Sequence, residues 1–220
     1  MLDSIFRILS RYGVVYLRGI GGTISLSLIT VSLATLVGTL LAIIKLSGNR
    51  LLNSAVDLWL AIIRGTPVLL QIYFFWLWLP RLLPIELSDR NCIICALVAN
   101  ASAYVCEIIR SGIQAVDSGQ KEAALSLGMS SYHCMTRIIL PQALRNILPA
   151  LGGEFISMIK QTSLASIFFI GELTTAYHTV QSATYLAIPS LVIAGILYFV
   201  LTGILTRVMT RVELRLNNAY

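Results

Sequence analysis

Residues 20–44 run without one acidic or basic side chain, and Lys45 ends the run. A helix needs about 20 mostly apolar residues to cross roughly 30 Å of hydrocarbon. Further mostly apolar runs occupy 56–79 (interrupted by Arg64-Gly65-Thr66-Pro67), 92–109, and 187–205 ahead of Arg207, Arg211 and Arg215. Residues 147–170 are long enough to span but carry Glu154, Lys160 and Gln161, so hydropathy alone scores them poorly. A chain of 220 residues has too small an interior to hide all these segments from water. Its charged fraction, 12%, is half the usual share for a soluble domain of about 25%. The expectation is an all-α membrane protein of about five spanning helices forming one transmembrane unit over 1–220.

The first run is too long for a signal-peptide core and no small-residue cleavage site follows it, so it is expected to remain in the mature protein. Basic residues set the orientation. With the N-terminus outside, the inner side receives Lys45, Arg50, Arg110, Lys121, Arg137, Arg145, Arg207, Arg211 and Arg215. The outer side receives Arg7, Arg11, Arg18, Arg81 and Arg90. The longer list favours N-out and C-in, although the three N-terminal arginines pull the other way. The net charge of +6 is therefore a topology signal; scattered through loops, it makes no nucleic-acid surface. Cys92 and Cys95 form a lone CxxC with no second pair and no nearby histidine, and Cys106 and Cys134 are isolated, so all four are expected to be packing residues with no metal.

No glycine is followed by lysine, so the chain has no P-loop for nucleotide, and neither H-E-x-x-H nor G-x-S-x-G occurs. His133 and His178 stand far apart in sequence. With no catalytic constellation, uphill movement of a solute would draw its energy from a partner or an ion gradient.

The loop at about 112–140 is the most informative stretch. Asp117 or Ser118 can cap a helix running through Glu122, Ala123, Ala124 and Leu125, and Gly128 can stop it. A second segment, 132–140, leads to Pro141. The short helix reads either as a connector resting on lipid headgroups or as a rigid knob. As a knob, its alanine face would admit a partner closely and Glu122 would pair with a base.

The run Glu122-Ala123-Ala124, three residues, Gly128, nine residues, then Ile138-Ile139-Leu140-Pro141 resembles the E-A-A-x3-G-x9-I-x-L-P signature of ABC importer permeases. Arg64-Gly65-Thr66-Pro67 with Gln71, the segment from Ala103-Tyr104 through Glu107 and Arg110 to Ile113, Pro141-Gln142-Ala143 and Lys160-Gln161-Thr162-Ser163-Leu164 are similar to segments of the polar amino-acid permeases. The likeness runs from about Gly19 to Arg207. It departs at Ser111, Gly153 and Gln161, where Gly, Asn and Asp are usual. The resemblance implies a type I permease domain over 1–220 in the bacterial inner membrane, with a coupling helix between the third and fourth spans docked on an ATPase. Implied partners are two ABC ATPase subunits holding ATP and Mg²⁺, a second permease (identical or sister), a periplasmic or lipid-anchored binding protein and an amino-acid cargo. This chain itself would bind no cofactor. A rival reading is an ion-coupled secondary transporter, whose usual mark is an internal repeat; the halves of this chain show none.

Charges at membrane depth are costly unless they face a partner or a cavity. Glu154, Ser157 and Gln161 share a helical face. Pro149, Gly152 and Gly153 just before them are expected to loosen the helix beside a polar cavity. Glu154 would hold a cationic group of the cargo, or pair with a basic residue of either permease. Lys160, about 240° from Glu154 on the helix, would pair with a carboxylate of a neighbouring helix in preference to contacting the cargo. Asn100, Tyr104, Glu107 and Ser111 form a second polar stripe, with Glu107 in reach of Arg110, while Asp57 and Arg64 share a face of the second span. Tyr73, Trp76 and Trp78 read as interfacial anchors.

Overall fold

The structure is a computed structural model that describes residues 1–83 and 86–217; every regular element among them is helical. α1 (Leu2–Leu46) is one helix of 45 residues, about 68 Å long at 1.5 Å per residue and so about twice the hydrocarbon thickness. α2 (Arg50–Gly65) and α3 (Val68–Leu82) meet at a bend of 111°. α4 (Asp89–Gln114) is followed by α5 (Ser118–Ser126), the single turn α6 (Ser131–Cys134), a π-helical turn over Met135–Ile139, and α7 (Leu140–Gln161). A 3-10 segment, Thr162–Phe168, precedes α8 (Leu173–Thr184) and α9 (Ala187–Asn217).

α4 is the hub. Its Ile93, Ala96, Leu97 and Ala101 are buried against Leu26 and Ala34 of α1, Ile72 of α3 and Met158 of α7. On another face its Ala99, Ala103 and Cys106 meet Val56, Leu60 and Ile63 of α2. The most apolar stretch of α4 is 61% buried, against 28% for α1 and 17% for α9. α4 is therefore the central helix, and the exposed Leu36, Leu40, Phe199 and Ile204 of the outer two are residues for lipid to cover. The four cysteines are free, and Cys92, Cys106 and Cys134 are buried in helix packing.

Two prolines shape the backbone in different ways. Pro67 has no N–H for the carbonyl of Ile63 and drives the preceding residue out of the helical region; Thr66 lies at φ −120°, ψ 145°, and the helix breaks there. Pro141 deprives the carbonyl of Arg137 in the same way. Here the helix continues by widening one turn, the N–H of Leu140 donating to Met135 O five residues back.

Among the described residues α1, α4 and α9 are long and apolar enough to cross a membrane, and α2 with α3 makes a fourth if the bent pair is one span. The segment 56–79 is thus two helices at a sharp angle. The segment 147–170 is not one helix either: α7 ends at Gln161 and a 3-10 segment carries the chain to Phe168. α7 also falls outside that apolar group, with Gln142, Arg145, Asn146, Glu154 and Lys160 in its sequence. Pro149, Gly152 and Gly153 do not loosen it; α7 is unbroken through all three. Gly152 serves packing: a Cβ there would lie 2.2 Å from Met209 Sδ of α9. Apolar periodicity does not announce α8. Its start is made by Glu172, whose carboxylate accepts from the N–H of Thr174 at 2.7 Å and of Thr175 at 2.6 Å.

Candidate functional site

α5 is a nine-residue helix held at both ends by its own sequence. Asp117 caps it, Oδ1 accepting from the N–H of Gly119 at 2.7 Å. Gly128 ends it at φ +80°, a left-handed conformation that costs glycine nothing. There the N–H of Met129 donates to Ala124 O at 3.1 Å and that of Gly128 to Leu125 O at 3.0 Å, the paired bonds of a Schellman stop. The chain then reverses into α6. Ala124 turns inward onto Cys134 and Ile139, locking α5 to the next segment, while Glu122 and Ala123 stay exposed. The alanine pair is therefore divided: one residue builds the hairpin and the other lies on its surface. Leu127 and Tyr132 flank this surface, 84% and 73% exposed. Sequence reasoning passed over both, although an apolar residue wedged between Ser126 and Gly128 in a polar loop was a visible signal.

A second constellation joins α2 to α4. Arg64 lies 3.5 Å from Glu107, which also takes Arg110 at 2.7 Å, and the Arg64 guanidinium sits 6.0 Å from the centre of the Tyr104 ring. Asp57 pairs with Lys45 of α1. Asp57, Arg64, Tyr104 and Glu107 line one cavity of about 520 Å³. The stripe read along α4 is thus divided by its neighbours. Tyr104 and Glu107 face this cavity, whereas Asn100 is buried and donates to Gln71 Oε1 at 2.9 Å, and Ser111 bonds back to Ile108 O.

On α7, Gln161 donates to Ser157 Oγ at 3.3 Å. Glu154 Oε1 and Gln161 Oε1 are buried acceptors with no donor among the described residues. Lys160 is exposed and forms no ion pair among the described residues. Tyr73 and Trp76 pack on Phe168, with ring centres 5.1 and 5.2 Å apart. Trp76 Nε1 also donates to Asp89 Oδ1 at 2.8 Å, so these two side chains tie α3 to the segment after α7 and to the start of α4.

The whole arrangement superposes on a solved amino-acid ABC transporter crystallised with histidines, at a TM-score of 0.91 and 36% identity, over 96% of this chain and 98% of that one. The MetNI methionine ABC transporter shares the fold at 14% identity and a TM-score of 0.77, over 92% and 96% of the two chains. The fold is that of a permease subunit of a type I ABC importer. The family profile described as "Binding-protein-dependent transport system inner membrane component" matches residues 34–217. The arginine transport system permease protein ArtQ of Bacillus subtilis is 35% identical over 202 residues, 92% of each chain. The nopaline transport system permease protein NocM of Agrobacterium fabrum is 36% identical over 196 residues, 84% of this chain and 81% of that one. The chain belongs to this family of multi-pass inner-membrane permeases, and the ion-coupled alternative falls away.

Proposed function

We propose that this chain carries polar L-amino acids across the inner membrane as one of two permease subunits, its partner being identical or a sister chain. Two ATPase subunits holding ATP and Mg²⁺ drive it from the cytoplasmic side, and an external binding protein delivers the cargo. The observation that carries this reading is the α5 hairpin. A short helix capped by Asp117 and stopped at Gly128 presents Glu122 and Ala123 on its surface, in a chain whose relatives are named for arginine and nopaline transport. In this reading Glu122, Ala123, Ala124 and Gly128 form the coupling site: Ala124 fixes the hairpin, and Glu122 and Ala123, with Leu127 and Tyr132 beside them, meet the ATPase. Closure of the ATPases moves the hairpins together and swings the membrane helices between two states of access. The N-terminus lies outside and the C-terminus inside.

The substrate path runs along the polar face of α7. Glu154 and Gln161 each keep a buried oxygen free to accept, which suits an ammonium or guanidinium donor. Ser157 orients Gln161. Tyr104 and Asn100 complete the path on the α4 side, where the Arg64–Glu107 pair and the Asp57–Lys45 pair hold α2 in register.

Purification of the tagged protein from its host in mild detergent, with co-purifying chains quantified by mass spectrometry, tests the partners. One P-loop ATPase copy per permease chain is the expected result, together with loss of labelled amino-acid uptake on deletion of the gene. Reproducible recovery without an ATPase would overturn the proposal.

A further inference from the structure

The N-terminal third of α1 carries a feature to which the proposed function assigns no role. At 100° per residue, Arg7, Arg11 and Arg18 fall within about 40° of one another and form one stripe roughly 16 Å long. None of the three is in an ion pair among the described residues. Arg11 instead lies over the ring of Tyr12, 5.7 Å from its centre. The stripe borders the seam where α1 packs on α8 and α9 through Ile8, Tyr16, Leu173, Ala176 and Val180.

Two cavities open along that seam. One of about 200 Å³ is lined by Arg7 and Arg11 together with Thr184 and Leu186. The other, about 210 Å³, takes Arg18 with Thr175 and Thr179 of α8. Glu172 is the carboxylate on this second cavity. It is 1% exposed, and its oxygens are taken by the N–H groups of Thr174 and Thr175 and by Tyr198 OH at 2.8 Å. Its partners are all neutral groups, and among the described residues it forms no ion pair with Arg18.

The same stretch of α1 exposes a different kind of surface on another side. Leu2, Phe6 and Leu17 are 69%, 72% and 67% exposed, and they lie within about 60° of one another. An occupant of this region has to meet guanidinium groups in a grooved seam and apolar side chains around the helix from them. An acidic protein surface matches only the first requirement, and an uncharged lipid only the second.

We propose that the seam between α1 and α8 binds the headgroup of an anionic phospholipid. Arg7, Arg11 and Arg18 contact the phosphate-bearing headgroups, and acyl chains cover Leu2, Phe6 and Leu17. Basic residues at a membrane surface each add about 1 kcal/mol of attraction to anionic lipid, a roughly fivefold factor apiece, and long cationic side chains reach headgroup level with their stems on apolar surface. The chemistry is the same in whichever leaflet this end of α1 lies. It also accounts for three arginines that the topology rule alone leaves against the trend.

The test is native mass spectrometry of delipidated full-length protein titrated with phosphatidylglycerol or phosphatidylcholine of matched chains. The wild type is expected to prefer phosphatidylglycerol at least tenfold or so. The triple variant Arg7→Gln, Arg11→Gln, Arg18→Gln should bind the two lipids alike, and the matching triple lysine variant should keep most of the preference. Both variants are read only as material that elutes with the wild type. Equal binding of the two lipids by the wild type, or undiminished preference in the glutamine variant, overturns the proposal. Loss of uptake in the glutamine variant with no lipid preference in the wild type would instead assign the stripe to an acidic protein partner.

Discussion

Gln71 Nε2 donates to the backbone carbonyl of Ile63 at 2.6 Å, the carbonyl that Pro67 leaves without a helical donor. The same amide reaches Thr66 O at 3.1 Å and Thr66 Oγ1 at 2.9 Å. Its oxygen accepts from Asn100 of α4. One side chain therefore caps α2, seats α3 and fastens both to the central helix, so the bend between α2 and α3 is a built joint.

Replacing Gln71 by leucine keeps the volume roughly but leaves the Ile63 carbonyl and the Asn100 amide unsatisfied. Each buried orphan costs about 1–3 kcal/mol. A Gln71→Leu variant should show a lower melting temperature in detergent and a lower yield from the membrane. Glu would keep the acceptor for Asn100 but lose the donor to Ile63, so Gln71→Glu should be destabilised as well. Wild-type stability in both variants would show that the joint holds without this amide.

Gly128 sits at φ +80° with open space around its missing side chain, so backbone conformation alone restricts it. A β-branched residue there is a genuine outlier, and left-handed geometry costs an L-residue about 1–2 kcal/mol. Gly128→Val should leave the protein in the membrane while uncoupling ATP hydrolysis from uptake in reconstituted vesicles. Gly128→Asn, which tolerates this region better, should retain more coupling. Equal coupling in the two would remove the hairpin from the energy path.

Glu154 is expected to matter by cargo charge. Hydrogen bonds to charged groups are worth about 1.5–3 kcal/mol, so Glu154→Gln should lower uptake of cationic amino acids about tenfold or more and spare neutral ones. Competition assays with labelled arginine and glutamine measure this directly. Equal loss for both cargoes would sink the selective role and leave Glu154 a pairing residue.

Glu107 holds Arg64 of α2 against α4, and the next residue toward the N-terminus, Cys106, is fully buried beneath α2 with Val56, Leu60 and Ile63. In a background with the other three cysteines changed to alanine, Glu107→Ala should raise maleimide labelling of Cys106 about fivefold, the effect of roughly 1 kcal/mol on a local opening. Unchanged labelling would mean that apolar packing alone keeps α2 in place.

Much of the fold and of the candidate site is legible in the sequence, because the reasons are local. Lipid forbids unpaired backbone and admits few charges, so 20–44 and 187–205 had to be helices; they lie within α1 and α9. The start and stop of α5 follow from Asp117 and Gly128, whose effects act over a single turn. The tertiary structure decided what depends on neighbours distant in sequence. Pro67 announces a break, but the 111° bend is held by Gln71 and by Asn100, 29 residues further on. The polar stripe on α4 looks uniform along the chain, yet packing sends Asn100 to Gln71 and leaves Glu107 to Arg64. Gly152 reads as a helix loosener in sequence and proves to be the place where Met209 of α9 comes close. Periodicity and capping are properties of a few consecutive residues; which donor meets which acceptor is settled only when helices far apart in the chain are packed together.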